Sequence, residues 1–348
     1  MAHDPKLEIY KIRLRNKEKG GPLRLRELLR KKFNEYPKKD YPKLNRPLQP
    51  ADILNTMYAD LINEIDGEGF NQNEHKKKGF TVASKKVGRG RKAEIVSNSD
   101  TSIVHGIIVG GKYGRKRTLS EIDHKNQGTS IETNHVVADR FYFLMYTPID
   151  ESTLIAMVQG YTESRIADVF MKFLQGYFKY GKEYYCEVEH FIPKSLKEKY
   201  IKGATFKSMS FTSDWKIQAN FDDDFEEREY DLEVKIIITD KSQDKAKHTS
   251  YVQYVKELAK SKFKLVDSTE RALDDFGSRR AKMESRGKEF PINFDDENDI
   301  RPTILLSNEG IRVDDGLMPN FGDIDKYCKK LLEEIVDDLN PKNAVGRV

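Results

Sequence analysis

Two short apolar runs followed by an amphipathic helix are the sequence feature that most limits how this chain can fold. Residues 140–147 and 153–159 are rich in aliphatic and aromatic side chains, and a turn at 148–152 that begins with a proline separates them. Apolar residues then recur at helical spacing; they are Ile166, Val169, Phe170, Phe173, Leu174 and Phe178. The pattern predicts two adjacent strands and a helix that packs on them, with Thr162 as the helix N-cap.

Further periodic segments are spread along the chain between polar stretches. Apolar runs predict strands over residues 7–14, 103–109, 183–192, 205–212, 231–239, 279–294 and 303–306. Helical spacing predicts helices over residues 23–33, 53–65, 250–263 and 323–339, with Pro50 at the start of the second. The polar stretches 71–102 and 110–134 are typical of loops.

The predicted helices interrupt the predicted strands at irregular intervals, which favours an α+β fold over a regular doubly wound sheet. We expect a mixed sheet with several packed helices and a basic, loop-rich N-terminal part. The polar stretch before residue 134 predicts a boundary, with a basic N-terminal region at 1–130 and a mixed α/β core domain at 131–348.

The charge of the chain is distributed unevenly. The net charge is +4, but residues 1–120 carry +13 and the remaining residues carry −9. A basic part of this kind indicates a polyanionic partner. Attraction between the basic and acidic parts of the same chain is the alternative, because net charge influences association and not the fold.

Composition also indicates a compartment. No apolar run is long enough to span a membrane, and residues 1–15 lack the apolar core of a signal peptide. Cys186 and Cys328 are the only cysteines, which indicates a reducing compartment and no disulfide framework. We therefore expect a cytoplasmic protein without a membrane partner.

The strongest candidate for a binding site is the segment 76–92, which reads KKKGFTVASKKVGRGRK and contains no acidic residue. Its eight basic residues are Lys76, Lys77, Lys78, Lys85, Lys86, Arg89, Arg91 and Lys92. Lysine and arginine neutralise phosphates and release counterions, which gives affinity for nucleic acid without sequence preference. The glycines beside Arg89 and Arg91 suit close approach to a narrow minor groove.

A second basic cluster follows the predicted strand 103–109. It contains Lys112, Arg115, Lys116 and Arg117, and Tyr113 is available to stack on a base. The two clusters together predict contact with DNA or RNA. The alternative is that both are solvated basic loops.

The best enzymatic candidate combines Asp214 with Glu233 and Lys235. An acidic residue followed by Glu-x-Lys on a strand is the ligand arrangement of many metal-dependent nucleases. In such sites the carboxylates hold Mg²⁺ and the lysine assists the attacking water molecule. Any amphipathic strand can also supply Glu-x-Lys by chance. Mg²⁺ is the only cofactor implied, and only under this alternative; the histidines are widely separated and lack metal-binding spacing.

Two segments carry a resemblance to known proteins. Residues 139–174, DRFYFLMYTPIDESTLIAMVQGYTESRIADVFMKFL, and residues 302–321, PTILLSNEGIRVDDGLMPNF, resemble poorly characterised bacterial proteins of phage-defence loci. The resemblance covers about a third of the chain, concerns the structural pattern, and transfers no catalytic residue. It implies a host-defence or mobile-element context.

These observations predict a non-catalytic nucleic-acid-binding protein of a bacterial anti-phage defence or mobile-element system. A metal-dependent nuclease that uses the Glu-x-Lys strand is one alternative. A protein-interaction subunit of a defence complex, or a homo-oligomer, is the other.

The nuclease alternative has a direct test. Leu232, Val234 and Ile236 alternate with Glu233, so the pattern places Glu233 on the solvent face of its strand. We expect no Mg²⁺-dependent cleavage of DNA or RNA and no effect of Glu233→Gln, measured on labelled substrates with and without EDTA. Cleavage that requires Mg²⁺ and disappears in Glu233→Gln would establish the nuclease instead.

Overall fold

A computed structural model describes most of the chain. The described residues are 4–18, 20–35, 49–87, 90–121, 124–202, 204–219, 228–239, 262–264, 270–272, 278–285, 288–293, 303–314 and 318–339. The chain divides into two compact units, the first formed by residues 1–191 and 304–337 and the second by residues 192–303 and 338–348. The boundary predicted near residue 130 lies inside the first unit.

The described elements form a mixed α+β protein, as the pattern of the sequence predicts. The helices are α1 (Leu25–Glu35), α2 (Pro50–Ile65), α3 (Ala167–Tyr177), α4 (Lys194–Lys202) and α5 (Phe321–Leu339). The strands are β1 (Pro5–Asn16), β2 (Gly21–Pro22), β3 (Asn71–Asn73), β4 (Lys78–Val82), β5 (Ser84–Val87), β6 (Gly90–Ala93), β7 (Ile95–Asn98), β8 (Ile103–Lys112), β9 (Arg117–Glu121), β10 (His124–Ile131), β11 (Val137–Tyr146), β12 (Thr153–Tyr161), β13 (Tyr184–His190), β14 (Thr205–Ala219), β15 (Arg228–Thr239), β16 (Lys262–Lys264), β17 (Glu270–Ala272), β18 (Ser278–Ser285), β19 (Lys288–Asn293) and β20 (Ile304–Leu305).

One sheet organises the first unit, and every strand pair described in it is antiparallel, in place of the expected mixed sheet. Its order is β13-β1-β12-β11-β8-β4-β3, with β7 also paired to β8 and with β2 and β20 paired to β1. The central strands are apolar on both faces: Phe141 and Phe143 point to one side, Tyr142 and Leu144 to the other, and all four are buried. A strand covered on both faces reads as a continuous apolar run, which is why the sequence marks β11 and β12 so clearly.

Helices α1, α2 and α3 cover the first face of the sheet. Phe170 of α3 lies with its ring centroid 5.5 Å from that of Phe80 and 5.2 Å from that of Phe143. Pro50 begins α2, where its missing N–H is not needed, and the apolar stripe of α2 is buried as predicted. This face contains the main hydrophobic cluster of the unit.

Helix α5 covers the second face. Its inward residues Ile324, Cys328, Leu331 and Ile335 are buried, as their spacing predicts. The hydroxyl of Tyr142, on this face of β11, donates a hydrogen bond of 2.7 Å to Asp325 of α5. The C-terminal helix therefore brings polar residues onto strands that lie far away in sequence.

The second unit contains a four-stranded antiparallel sheet in the order β15-β14-β18-β19. One face of this sheet buries Met209, Phe211, Ala281 and Met283. The helix predicted at 250–263 lies outside the described residues except for its last two positions, which belong to strand β16. Among the described residues, no helix combines the length and the apolar character needed to cross a membrane.

Two sequence predictions about local structure were wrong. The stretches 71–102 and 110–134, expected as loops, contain strands β3 to β7 and β9 to β10. The pairs β5–β6 and β9–β10 are two-stranded ribbons whose described side chains are mostly polar and exposed, so backbone pairing forms them without an apolar alternation. Thr162 is not the N-cap of α3, because Ile166 occupies that position without a side-chain cap.

The packing of Phe170 predicts a measurable loss of stability. Phe170 is 0% exposed, and replacing it with alanine should lower the free energy of unfolding of the first unit. A change of about 3–5 kcal/mol is expected for a buried phenylalanine. Amide hydrogen exchange in β11 and β12 measures this change. Leu119→Ala, at a position 65% exposed, is the control, and an equal effect of both substitutions would contradict the core assignment.

Candidate nucleic-acid interface and the adjoining cleft

The basic hairpin, defined as β5–β6, leaves the sheet from the edge of β8. Both β4 and β7 pair with that edge, and the hairpin is the chain between them. Its base closes around Ile107: the Ala83 N–H donates to the Ile107 carbonyl at 2.9 Å, and the Ile107 N–H donates to the Glu94 carbonyl at 3.0 Å. The Glu94 N–H donates to the Ala83 carbonyl at 2.7 Å, so the root of the hairpin is fixed by backbone hydrogen bonds.

The side chain of Glu94 anchors the root of the hairpin to β11 in addition to these backbone hydrogen bonds. This carboxylate is only 9% exposed, and both of its oxygens lie 2.9 Å from a guanidinium nitrogen of Arg140 on β11. Lys85 of the hairpin contributes a further ammonium at 3.4 Å. A buried carboxylate requires such partners, because its desolvation is otherwise unfavourable.

Four cations are arranged in two opposed pairs on the hairpin. Lys85 lies directly opposite Lys92, and Lys86 lies directly opposite Arg91. Successive side chains on a strand point to opposite faces, so each face of the ribbon carries one like-charged pair. All four residues are exposed. Arg89, which belongs to the same predicted cluster, lies outside the described residues.

The predicted cations at the start of the cluster have a different environment. Lys76 and Lys78 place their ammonium groups 2.9 Å and 3.0 Å from Asp168 of α3. Although burial acts to raise it, the pKa of Asp168 is lowered by the hydrogen bonds from both lysines. These lysines therefore tie α3 to β4. Lys77 lies between them in sequence, with its ammonium 5.8 Å from the ring centroid of Tyr113.

The second predicted cluster lies at the far end of β8. Lys112, Arg115, Lys116 and Arg117 are exposed, and Lys116 forms an ion pair of 3.2 Å with Glu132. Lys112 is five positions after Ile107 on β8, which corresponds to roughly 17 Å of strand. Tyr113, considered for base stacking, is half-buried, and its hydroxyl is buried without a hydrogen-bond partner.

The residues of the nuclease hypothesis belong to the second unit. Asp214 of β14 lies directly opposite Glu233 of β15, and Thr212 lies opposite Lys235. The backbone thus has the register that a shared metal would need. Lys235 is exposed, whereas the side chains of Asp214 and Glu233 lie outside the described set. In the described ranges, no group of three His, Cys, Asp or Glu residues could hold a metal ion.

A cleft of about 410 Å³ lies beside the basic hairpin. It is bounded by the hairpin, β7, β8, β11 and the start of α5, and its lining is mainly apolar. The lining residues are Lys85, Lys92, Ala93, Glu94, Ile95, Val96, His105, Gly106, Ile107, Tyr142, Phe321, Gly322 and Asp325. Lys85 and Lys92 share one face of the hairpin, and that face borders the cleft.

Asp325 is the centre of a polar cluster in this cleft. Its Oδ1 lies 2.7 Å from the Tyr142 hydroxyl and 2.9 Å from His105 Nδ1, and its Oδ2 accepts from Lys329 Nζ at 2.9 Å. The Lys329 ammonium also lies 3.5 Å from His105 Nε2. An ammonium only donates, so Nε2 is the acceptor and the neutral imidazole carries its proton on Nδ1, facing Asp325.

The environment of the cluster determines its protonation. Burial lowers the pKa of His105, Asp325 raises it and Lys329 lowers it, with a net decrease from the ordinary value. Burial raises the pKa of Tyr142, and the neighbouring Cys328 and Asp325 raise it further. At neutral pH His105 is therefore uncharged and Tyr142 remains a phenol that donates to Asp325.

Both cysteines are free and buried. Burial raises the pKa of Cys186 to about 12, and burial also raises the pKa of Cys328. The thiolate is the reactive form of cysteine, so burial disfavours reaction of either side chain at neutral pH.

Sequence reasoning missed the polar cluster. Asp325 is 183 residues from Tyr142, and Lys329 is 224 residues from His105, so no local motif contains them. One signal was present: His105 interrupts the β-branched run 103–109, and a polar side chain on a buried strand requires a partner.

Comparison of the chain with family models, with curated proteins and with solved structures gives no match.

The cluster predicts the titration of His105. Its pKa is lowered in the folded protein, so protonation favours the unfolded state and stability should fall as the pH drops below about 6.5. The NMR shift of its Hε1 proton should therefore have a midpoint below that value. Asp325→Asn should lower the midpoint further and Lys329→Met should raise it. A midpoint of 6.5 or above in the wild type, or equal shifts in both variants, would contradict the arrangement.

Proposed function

We propose that this protein binds nucleic acid without catalysing a reaction, and that the basic hairpin is its principal contact. The observation that supports this is the pair of like-charged positions, Lys85 with Lys92 and Lys86 with Arg91. Like charges directly opposite each other destabilise a strand pair. A polyanion relieves this repulsion, and phosphate contacts to lysine and arginine supply affinity through counterion release.

The shape of the hairpin is compatible with this role. Successive side chains of a two-stranded ribbon point to opposite faces, so cations on both faces can contact phosphates. The root of the hairpin is held at Ile107 and by the Glu94–Arg140 ion pair, so its two strands start from a defined position. Fixing the position of a contact in advance lowers the entropy that binding must overcome.

Local ion pairs divide the predicted contact residues into two groups. Lys76 and Lys78 already neutralise Asp168 and Lys116 pairs with Glu132, so we leave these three lysines out of the proposed interface. Lys85 stays in it because its carboxylate neighbour Glu94 is already bound by Arg140. The proposed phosphate contacts are Lys85, Lys86, Arg91 and Lys92 on the hairpin, with Lys112, Arg115 and Arg117 as a second group. We further propose a role in bacterial anti-phage defence or a mobile element, which rests on the resemblance of residues 139–174 and 302–321.

Salt dependence tests the binding proposal. Affinity for an oligonucleotide should fall linearly with salt on logarithmic axes, and Lys86→Ala with Arg91→Ala should make the slope shallower by about 2, one per lost phosphate contact. The control is Lys172→Ala with Lys179→Ala, which removes the same two positive charges at exposed positions in α3 and just after it. This control should leave the slope of affinity against salt unchanged. The proposal fails if nothing binds at low salt or if both pairs of substitutions change the slope alike.

In a host that expresses the chain, the hairpin variant should also lose protection against phage, measured by plaque counts.

A further inference from the structure

The cleft beside the basic hairpin has an excess of positive charge. Each of its two carboxylates already has a cation of its own, because Glu94 binds Arg140 and Asp325 binds Lys329. Lys85 and Lys92 therefore add positive charge that these two carboxylates do not neutralise in full. Lys85 shares Glu94 with Arg140, at 3.4 Å from the carboxylate, and Lys92 has no carboxylate partner within the described part of the chain. The opening of the cleft thus favours an anionic group.

The remainder of the cleft favours a flat, mainly apolar body. Its volume of about 410 Å³ lies within the range of small-ligand sites, and those sites combine apolar walls with a few convergent polar groups. Ile107 forms an aliphatic part of the wall and Phe321 an aromatic part. Val96 lies at the mouth of the cleft, paired on β7 directly opposite His105 of β8. His105 and Asp325 add a polar edge that can both donate and accept hydrogen bonds.

We propose that this cleft binds one nucleotide, with its base against Ile107 and Phe321 and its phosphate at Lys85 and Lys92. This inference rests on the proposed function, because the nucleotide is an unstacked residue of the strand that the hairpin holds. A phosphate matches two ammonium groups, and a base matches an apolar wall with a hydrogen-bonding edge.

The proposal has a consequence for the kind of nucleic acid. A base inside a duplex is stacked and paired, and unstacking it costs a few kcal/mol. A base in a single strand enters the cleft at a lower cost. The protein should therefore bind a single strand more tightly than a duplex of the same sequence, and a mononucleotide should compete with the single strand.

Two substitutions separate the cleft from the outer face of the hairpin. Val96 is 59% exposed in β7, so Val96→Trp places a large side chain over the cleft next to His105 without changing the charge. Leu119→Trp makes a comparable change at an exposed position of β9 and is the matched control. Lys92→Met removes one phosphate contact at an exposed position and serves as a second variant if Val96→Trp does not fold, which circular dichroism detects.

The experiment titrates the full-length chain with adenosine 5′-monophosphate, adenosine and inorganic phosphate by calorimetry, and with labelled single and double strands by fluorescence anisotropy. The monophosphate should bind more tightly than adenosine or phosphate alone. Val96→Trp should abolish its binding and Lys92→Met should weaken it about tenfold, the effect of one charge-assisted contact. Leu119→Trp should bind like the wild type.

The outcomes distinguish this inference from the proposed function. If the monophosphate displaces the single strand, the inference is supported and the nucleotide in the cleft belongs to a bound strand. Binding of the monophosphate in the cleft without any binding of oligonucleotides supports a free nucleotide as the ligand and overturns the proposed function. If the monophosphate does not bind and Val96→Trp leaves single-strand binding unchanged, the inference is wrong, and the effect of Lys86→Ala with Arg91→Ala then decides the proposed function by itself.

Discussion

Close backbone packing around β8 is the constraint on which the rest of the first unit depends. This strand pairs with β11 along its whole length on one edge and with β4 and β7 on the other. A β-carbon at Gly106 would clash with the Glu94 carbonyl, and one at Gly111 would clash with the Val137 carbonyl. Glycine inside a strand allows such an approach of neighbouring backbone. The root of the hairpin and one wall of the cleft depend on Gly106, whose missing β-carbon lets Glu94 approach β8.

Carboxylates with individual cation partners organise the charge of the first unit. Glu94 has Arg140, Asp168 has Lys76 and Lys78, and Asp325 has Lys329. The pairs at Asp168 are partly exposed and contribute little to stability, about 0–1 kcal/mol each, so their main effect is to orient α3 on β4. The Glu94 carboxylate is buried, so Arg140 instead offsets its desolvation. The cations that remain on the hairpin are those that no nearby carboxylate fully neutralises. Four cations of residues 1–120 thereby lie exposed on this ribbon, and two of them, Lys85 and Lys92, border the cleft.

The polar cluster at Asp325 connects packing to the candidate site. Helix α5 is held to the second face of the sheet by a buried apolar stripe, and the same helix presents Asp325 and Lys329 to His105 and Tyr142. A change in the helix register would move both the apolar stripe and the polar residues. The geometry of the cleft is therefore coupled to the core, and substitutions in the stripe of α5 should alter the cleft even where they do not touch it.

The sequence by itself determined the elements whose apolar pattern is decisive. Strands β1, β8, β11 and β12 and helices α1, α2 and α5 follow their periodicity, because burial on one or both faces imposes a period of two, a continuous run or a helical stripe. It also determined that lysine and arginine accumulate before residue 120, since composition is local information. Only the tertiary structure decided that β5–β6 is a ribbon, because its hydrogen bonds are formed by backbone groups that every residue possesses. Only the tertiary structure brought His105, Tyr142 and Asp325 together and paired Lys76 and Lys78 with Asp168, because contacts between distant residues depend on how the elements pack and leave no periodic trace in the chain.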